Sequence, residues 1–565
     1  MLTLLSMFSL AQLALPTALV PPLVPNTLPP LTRPASRQIV ESQEVRALPG
    51  QLDDVPVFNS NSPELIQREG ILLSTFPGDV MQVPSAHLNH PLEGRFDIFA
   101  HHIARGVNPD DNRTLYFGIL VYNPSRQTIR LDSLQAASYL SQEAPFFDLP
   151  PYVANPLGTV FSGPGSRTMN DVLRGQRQRQ WPASISIPPR RAVMLFNAPI
   201  PLRRLTVPSD GTWPAGRVIP VPNPTPIPQP VSPGSTGSAS TNSNEGKSVS
   251  PGINLSNKAL LEDAAVQVSN PLAAQPIAEF EPTSPMLMAE QSARSLPTNG
   301  RTVLMHLNSS GPVYMASMAM YAPKMPDGNE RVPTLSEWQQ ILQQKGLAGP
   351  RDYPPTPPNA QSFSRFFYGR VSGIAEGSQW VAQLTDNPGS SVLTIPDERN
   401  QVSYAVSTVD RNTFGTGQIQ SAAMLDRYPD TAYRAHGNYG IKYDLSLPLY
   451  NPTRSLQEVG IKFQTPLQNE RMSDGLTFLN PPNEQIFFRG TVKLRYTDDW
   501  NIPQTRYFHL VQRQGQQGQP LLRLRMQPGE RRLVRVEFIY PPDATPPQVL
   551  TVETLPASRS PRLIP

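Results

Sequence analysis

The sequence predicts a mainly β protein: two antiparallel β-sandwich-like domains, a flexible Pro/Ser-rich insertion and one short linking helix. Three observations carry this expectation. Proline fills 67 of 565 positions, more than twice the usual ~5%, and each proline inside a helix would cost about 3 kcal/mol. Apolar and polar residues alternate over several short runs, the period of a strand with one wet face. A unit made of a strand, an Asn-Pro turn and a second strand occurs twice.

In chain order, residues 1–24 carry no charged side chain, the first being Arg33. Met1 to Leu15 has the length of a signal-peptide apolar core and is too short for a bilayer span of about 20 residues. A basic start and an A-x-A cleavage site are missing. The expectation is an export signal over 1–24, placing the protein in the periplasm, at the cell surface or outside, followed by a proline-rich tether at 25–45. A first β domain is expected over 46–205 plus 298–322. Its strands include "VPVF" (55–58), "GILLS" (70–74), "RFDIFAHHI" (95–103), "TLYFGILVY" (114–122) and the pair in "SISIPPRRAVMLFNAPI" (184–200). The 114–122 run is apolar at both parities, so both of its faces should be covered.

Residues 206–297 read as a flexible insertion, because "IPVPNPTPIPQP" (219–230) favours polyproline II and "KALLEDAAV" offers only a weak helical patch. After it, "RTVLMHL", Asn308-Ser309-Ser310-Gly311 and "PVYMASMAMY" predict a hairpin that completes the first sheet. A linker with a helix is expected at 323–361. There Thr334 and Glu337 form a capping box, Leu335, Trp338, Ile341 and Leu342 share a face, and Gly346 stands at the C′ position. The second β domain, 362–557, shows the cleanest alternation, with Ile441, Tyr443, Leu445, Leu447 and Leu449 opposed to Lys442, Asp444, Ser446 and Pro448. Residues 558–565 form a tail.

The repeated unit joins the two domains. Tyr122-Asn123-Pro124-Ser125-Arg126 is nearly copied by Tyr450-Asn451-Pro452-Thr453-Arg454, each after an apolar run. Further on, "ISIPPRRAVMLF" and "LRMQPGERRLVRVEF" each give strand, proline turn, strand. The same order twice predicts two sandwiches of one topology.

Composition excludes some chemistry. There is no cysteine, which removes disulfides, thiolate zinc sites and cysteine nucleophiles. Net charge is +4 and charged residues are 16% of the chain, with acids dispersed among arginines. Nucleic-acid binders concentrate positive charge on a patch or stripe, so no nucleic-acid partner is expected. Of the seven histidines, His101 and His102 adjoin, but neighbouring strand residues face opposite ways. His90 with one of them could hold a metal, and "PDD" (109–111) could lend carboxylates, yet no H-x-H or H-E-x-x-H is present. No G-x-S-x-G occurs, and "SGPGSR" (162–167) suits a tight turn. Gly246-Lys247-Ser248 imitates the end of a phosphate loop but has Thr241 where the loop glycine belongs. The paired acids of "YTDDW" (496–500) read as a hairpin turn before they read as a glycosidase or calcium pair. The arginine runs "RGQRQRQW" (174–181), with Arg177 and Arg179 on one strand face, and "GERRLVRV" (529–536) read as solvated faces that could meet anionic glycan or lipid head groups.

"GRFDIFAHHI", "RTLYFGILVYNP", "GPGSR", "SSGPVY", "GTGQIQSA", "YPDTAYRAHGNYG", "NPPNEQIFFRGTVKLRYTDD" and "GERRLVRVEFIYPPDATPPQVLTV" together resemble an uncharacterised family of exported cyanobacterial proteins, a domain of unknown function. The resemblance runs from Leu48 to Val552, leaving 206–297 unmatched. It implies an envelope or secreted setting and supplies no catalytic residue.

The functional expectation is an extracytoplasmic envelope protein, structural or binding, without catalytic activity, cofactor or metal, and without a membrane span once the signal is removed. Its partner would be a polysaccharide or another envelope protein. His101, His102, His436 and Tyr439 are the candidate interaction residues. The alternatives are a hydrolase of envelope or extracellular polysaccharide or peptide, and an adaptor that presents 206–297 as a ligand.

Overall fold

The computed structural model describes residues 35–144, 146, 148–202, 296–363, 365–471 and 475–556. The expected export signal, nearly all of the insertion with Gly246-Lys247-Ser248, and the tail lie outside them.

The first part of the chain runs through β1 (Arg37–Ser42), β2 (Glu44–Arg46), β3 (Pro56–Ser60), β4 (Leu65–Ile66), β5 (Gly70–Ser74), β6 (Leu92–Arg105), β7 (Thr114–Tyr122) and β8 (Ile129–Leu140). It continues with β9 (Tyr152–Ala154), helix α1 (Ser166–Leu173), β10 (Ser184–Ile187), β11 (Ala192–Pro201) and β12 (Thr298–Tyr321). Helix α2 (Leu335–Gln344) precedes β13 (Ser372–Glu376), β14 (Gln379–Gln383), β15 (Leu393–Thr394), β16 (Gln401–Val406), β17 (Ala422–Arg427) and β18 (Arg434–Ala435). The last part holds β19 (Lys442–Tyr450), β20 (Gln457–Gln464), β21 (Gly475–Asn480), β22 (Ile486–Thr497), β23 (Pro503–Arg513), β24 (Pro520–Met526), β25 (Arg531–Ile539) and β26 (Gln548–Leu555). The protein is mainly β, as its composition and pleat-period patterning predict.

The repeated unit is built the same way at both places. β7 pairs with β11 and β8 with β10; β19 pairs with β25 and β20 with β24, all antiparallel. In the first unit Asn123 Nδ2 donates to the carbonyls of Gln127 (2.7 Å), Ile187 (2.9 Å) and Pro188 (3.2 Å), while its Oδ1 accepts from Ser125 N (2.8 Å). In the second, Asn451 Nδ2 donates to Ser455 (3.0 Å), Met526 (2.9 Å) and Gln527 (3.1 Å), and its Oδ1 accepts from Thr453 N (2.9 Å). Each amide thus ties its own turn to the proline turn further along the chain. Both side chains are fully buried, where every polar atom needs a partner.

Each unit closes over a core in the expected parity. Leu445, Leu447 and Leu449 are wholly buried, and Phe463 of β20 packs on Phe538 of β25 at 5.4 Å across the two sheets. In the first unit β7 is buried on both faces, as its unbroken apolar run predicts. One face meets the facing sheet. The other lies under α2, whose Trp338 fills the space over Gly118 that a Cβ would occupy. Helix α2 thus covers a sheet of the first unit within the stretch of chain that leads from β12 to β13.

Several expectations are corrected. No hairpin forms at 308–311. β12 is one 24-residue strand, pairing with β6 and β8 in its first half and with β5 and β7 in its second. Ser309 Oγ donates to Gly311 O at 2.6 Å and the register shifts there, so the polar quartet bends the strand without reversing it. Gly346 is not a left-handed cap. The capping box forms, but the helix ends on Lys345 in an extended conformation, and Gly346 O accepts from Ile71 N at 3.0 Å. Residues 37–45, placed in the tether, form β1 and most of β2 and pair with β21 and β16. The segment 174–181 is no strand: Arg174 lies over the Tyr507 ring at 3.8 Å, and Arg177 donates to Ser133 O at 3.0 Å.

The two units also share strands. β13, β17 and β18 extend the sheet of the first, while β2 and β9 add to sheets of the second and β1 makes a separate two-stranded sheet with β21. Five pairings among these and neighbouring edges are parallel. Borrowed strands cover edges that would otherwise present unpaired backbone groups. Helix α1, absent from the expectation, packs against β8 and β12 of one unit and β22 and β25 of the other.

Candidate functional site

His101 and His102 lie on β6 between β12 and β3, facing opposite ways as strand neighbours must. His102 Nδ1 is 2.9 Å from Pro63 O, which can only accept, so Nδ1 carries the proton. Nε2 then accepts from Ser60 Oγ (2.9 Å), and Ser60 in turn accepts from Ser317 Oγ (2.8 Å). His101 Nδ1 meets Thr302 Oγ1 at 2.8 Å. Burial holds both rings far down, at pKa values of about 3 for His101 and about 4 for His102. They are neutral parts of the strand packing. His90 pairs with Asp426 at 2.7 Å instead of joining them, and among the described residues no group of three or more His, Asp or Glu is placed to hold a metal.

His436 and Tyr439 sit in the turn "HGNYG" ahead of β19 and serve different surroundings. Tyr439 points to the junction of the two units. Its hydroxyl donates to Ala544 O (2.9 Å), its ring stacks near Tyr540 at 6.2 Å, and burial pushes its pKa up to about 12. His436 points the other way, into a surface groove of about 280 Å³.

Four segments build that groove: 356–368 ahead of β13, the 407–421 loop between β16 and β17, the stretch around β18, and Glu470 after β20. Thr413 pins the loop, donating through N (2.9 Å) and Oγ1 (3.1 Å) to Glu470 Oε2. Tyr368 OH donates to Asp410 O at 2.6 Å and accepts from Asn412 Nδ2 at 3.2 Å. Arg411, held at φ 66°, lays its guanidinium over Phe363 (4.6 Å) and Phe366 (5.3 Å). Phe366, Tyr368 and His436 form a row of rings, with centroids 5.0 Å and 4.7 Å apart. Burial, with Arg434 alongside, lowers His436 to a pKa of about 4, and burial raises Tyr368. Both are neutral near pH 7.

Ser421, His436 and Asp410 come together here, but in the wrong order for a relay. Ser421 Oγ (3.4 Å) and Asp410 Oδ2 (3.7 Å) both approach Nδ1 of the imidazole. A nucleophilic triad places serine and carboxylate on opposite ring nitrogens. What the groove offers is an aromatic wall edged by two carboxylates, Asp410 and Glu470, and two guanidinium groups, Arg411 and Arg434.

Of the four candidate residues, only His436 faces this groove. Sequence reasoning passed over Phe366, Tyr368, Asp410, Arg411 and Glu470. The legible signal was "SFSRFFYGR" (362–370), four aromatics in a short stretch flanked by arginines. The acids of "YTDDW" form the expected hairpin turn: Asp498 Oδ1 accepts from Trp500 N (3.0 Å) and Ile502 N (2.9 Å). The segment "SGPGSR" makes a turn whose last two residues open α1.

A comparison with curated proteins finds no similar sequence. A family match spans residues 43–217 and 238–554, so the interruption is narrower than the insertion that the sequence patterning marks. Because that match covers most of the chain, the protein belongs to the family described as "Protein of unknown function (DUF3370)".

Proposed function

We propose that this is a non-catalytic binding protein of the extracytoplasmic cell envelope, in a Gram-negative photosynthetic bacterium, and that its groove holds a stretch of polysaccharide. The carrying observation is the row formed by Phe366, Tyr368 and His436, faced by Asp410, Glu470, Arg411 and Arg434. Flat apolar rings suit the C–H faces of sugars, and charged groups at the rim suit their hydroxyls; such a mixture of apolar wall and few polar groups is what ligand sites use. At about 280 Å³ the groove falls just below the ~300–1,000 Å³ of ligand pockets, which fits a short length of polymer better than a large cofactor. The charge-free opening of residues 1–24 supports export. Among the described residues no helix is long and apolar enough to cross a membrane.

A glycan array and an envelope pull-down on the mature protein test the proposal. Phe366→Ala and Arg411→Ala should each weaken polysaccharide binding about three- to tenfold with an unchanged melting temperature. Binding to no polysaccharide, or binding indifferent to both substitutions, refutes it. The second reading, a hydrolase of the same polymer, is favoured by one fact, that Asp410 and Glu470 line the same groove. It predicts release of reducing ends, abolished in Asp410→Asn and Glu470→Gln.

A further inference from the structure

Two sequence motifs that the groove does not use meet at the other end of the second unit. The β22–β23 hairpin turns through Asp498–Ile502, and its tip exposes Trp500 (80%) and Ile502 (53%). The arginine run 529–536 opens β25 beside it. Asp499 Oδ1 joins them, accepting from Arg532 Nη1 (2.8 Å) and from Arg525 N (3.1 Å). The Asn451 turn lies against the proline turn that joins β24 to β25 through its bonds to Met526 and Gln527, bringing exposed Leu456 and Arg454 to this end.

The three acids here keep their charge but are held within the fold, and four arginines, Arg454, Arg525, Arg531 and Arg532, outnumber them. Asp498 accepts two backbone N–H groups and Gln504 Nε2 (2.8 Å), while Asp499 and Glu530 both hold the buried Arg532. Arg454, Arg525 and Arg531 remain exposed, with no carboxylate partner among the described residues; Arg531 only lies near the Tyr450 ring at 5.5 Å. The tip is held in one shape, with Asn501 at φ 61° and paired N–H···O bonds between Asp498 and Ile502. A rigid loop therefore presents an indole and an isoleucine above a collar of free guanidinium groups.

We propose that this tip docks on an anionic lipid bilayer surface, with Trp500 and Ile502 entering the headgroup layer and Arg454, Arg525 and Arg531 facing the lipid phosphates. An indole with an apolar body and a polar N–H favours that layer. Arginines near an anionic surface are attracted to it over about one Debye length. Partners that bind by charge alone would not account for the indole, and apolar protein partners would not account for the collar. The proposal is independent of the polysaccharide groove and would hold the protein at a membrane face without crossing it.

Fluorescence on the full chain tests it. Trp181, Trp338 and Trp380 are 2%, 0% and 4% exposed, and Trp213 lies outside the described residues, so a Trp213→Phe background makes Trp500 the reporter. Adding vesicles of phosphatidylglycerol and phosphatidylcholine should shift its emission to shorter wavelength, and brominated lipid should quench it. Trp500→Ala with Ile502→Ala, followed by sedimentation, should cut vesicle binding about tenfold or more. Arg525→Gln with Arg531→Gln should cut it about tenfold, as should raising salt to about 0.5 M. All four side chains are exposed, and unchanged melting curves confirm folding. Three results overturn the proposal. One is vesicle binding with unmoved Trp500 emission, which would assign attachment to residues 1–24 or another face. Another is an equal shift on pure phosphatidylcholine. The third is a shift produced by a soluble envelope protein and not by vesicles.

Discussion

At the scale of single residues, two asparagines say most about how the chain is organised. A turn asparagine is commonplace because its side chain can bond its own backbone two residues on. Asn123 and Asn451 do this through Oδ1, but each also spends its two N–H donors on three carbonyls, two of which lie in a turn far along the chain. Alanine at either position would leave those buried groups unpaired, at roughly 1–3 kcal/mol for each group not reached by water. Asn123→Ala and Asn451→Ala should therefore each destabilise by about 2–4 kcal/mol, measured from urea unfolding midpoints. The two values should agree closely, because the two networks do. A loss under about 1 kcal/mol at either site would mean that its carbonyls find water, and that the shared geometry is not a shared anchor.

At the scale of elements, the contact of α2 with β7 can be isolated. A Cβ on Gly118 would come within 2.8 Å of the Trp338 ring, and this ring is fully buried. Gly118→Ala should cost about 1–3 kcal/mol by overpacking, and Trp338→Ala about 3–5 kcal/mol by leaving a cavity. In the Trp338→Ala background the added methyl should cost nearly nothing, so the cycle should show strong coupling. Additive losses would place the strain elsewhere. Strands such as 441–449 were legible because a pleat has period two and one face of the run is apolar. Helix α2 was legible because a capping box and a one-sided apolar stripe coincide. β12 was not, since Asn-Ser-Ser-Gly is turn chemistry that here only bends a strand. Helix α1 was not, because its eight residues include Ser166, Arg167, Thr168, Asn170 and Asp171, and its apolar stripe, Met169, Val172 and Leu173, covers little more than one turn, while elements from both units bury the rest.

At the scale of the whole molecule, the groove shows why sites are harder to read than sheets: its lining comes from segments spread from Thr356 to Glu470, and no local pattern records that they meet. His436 was reached only as a notable residue, and its neighbours Tyr368 and Asp410 not at all. The histidines that drew attention instead have a collective consequence. Burial lowers His87, His102 and His436 to about 4, and His101 and His509 to about 3. A histidine whose folded pKa lies below its unfolded value of about 6.5 binds its proton more readily when unfolded. Its contribution is complete above pH 6.5 and drains away as pH falls toward the folded value. Glu64, Asp171 and Asp543, raised by burial, act in the opposite sense, with Asp543 at about 6, but they are fewer. Stability should thus fall steadily from pH 6.5 to about 4. His436→Gln, at the groove edge, should make that fall shallower by one proton, about 1.4 kcal/mol per pH unit, when unfolding free energies are measured by urea across this range. A variant whose slope matches that of the parent protein would show that His436 titrates alike in both states, open to water rather than enclosed between Tyr368, Ser421 and Asp410.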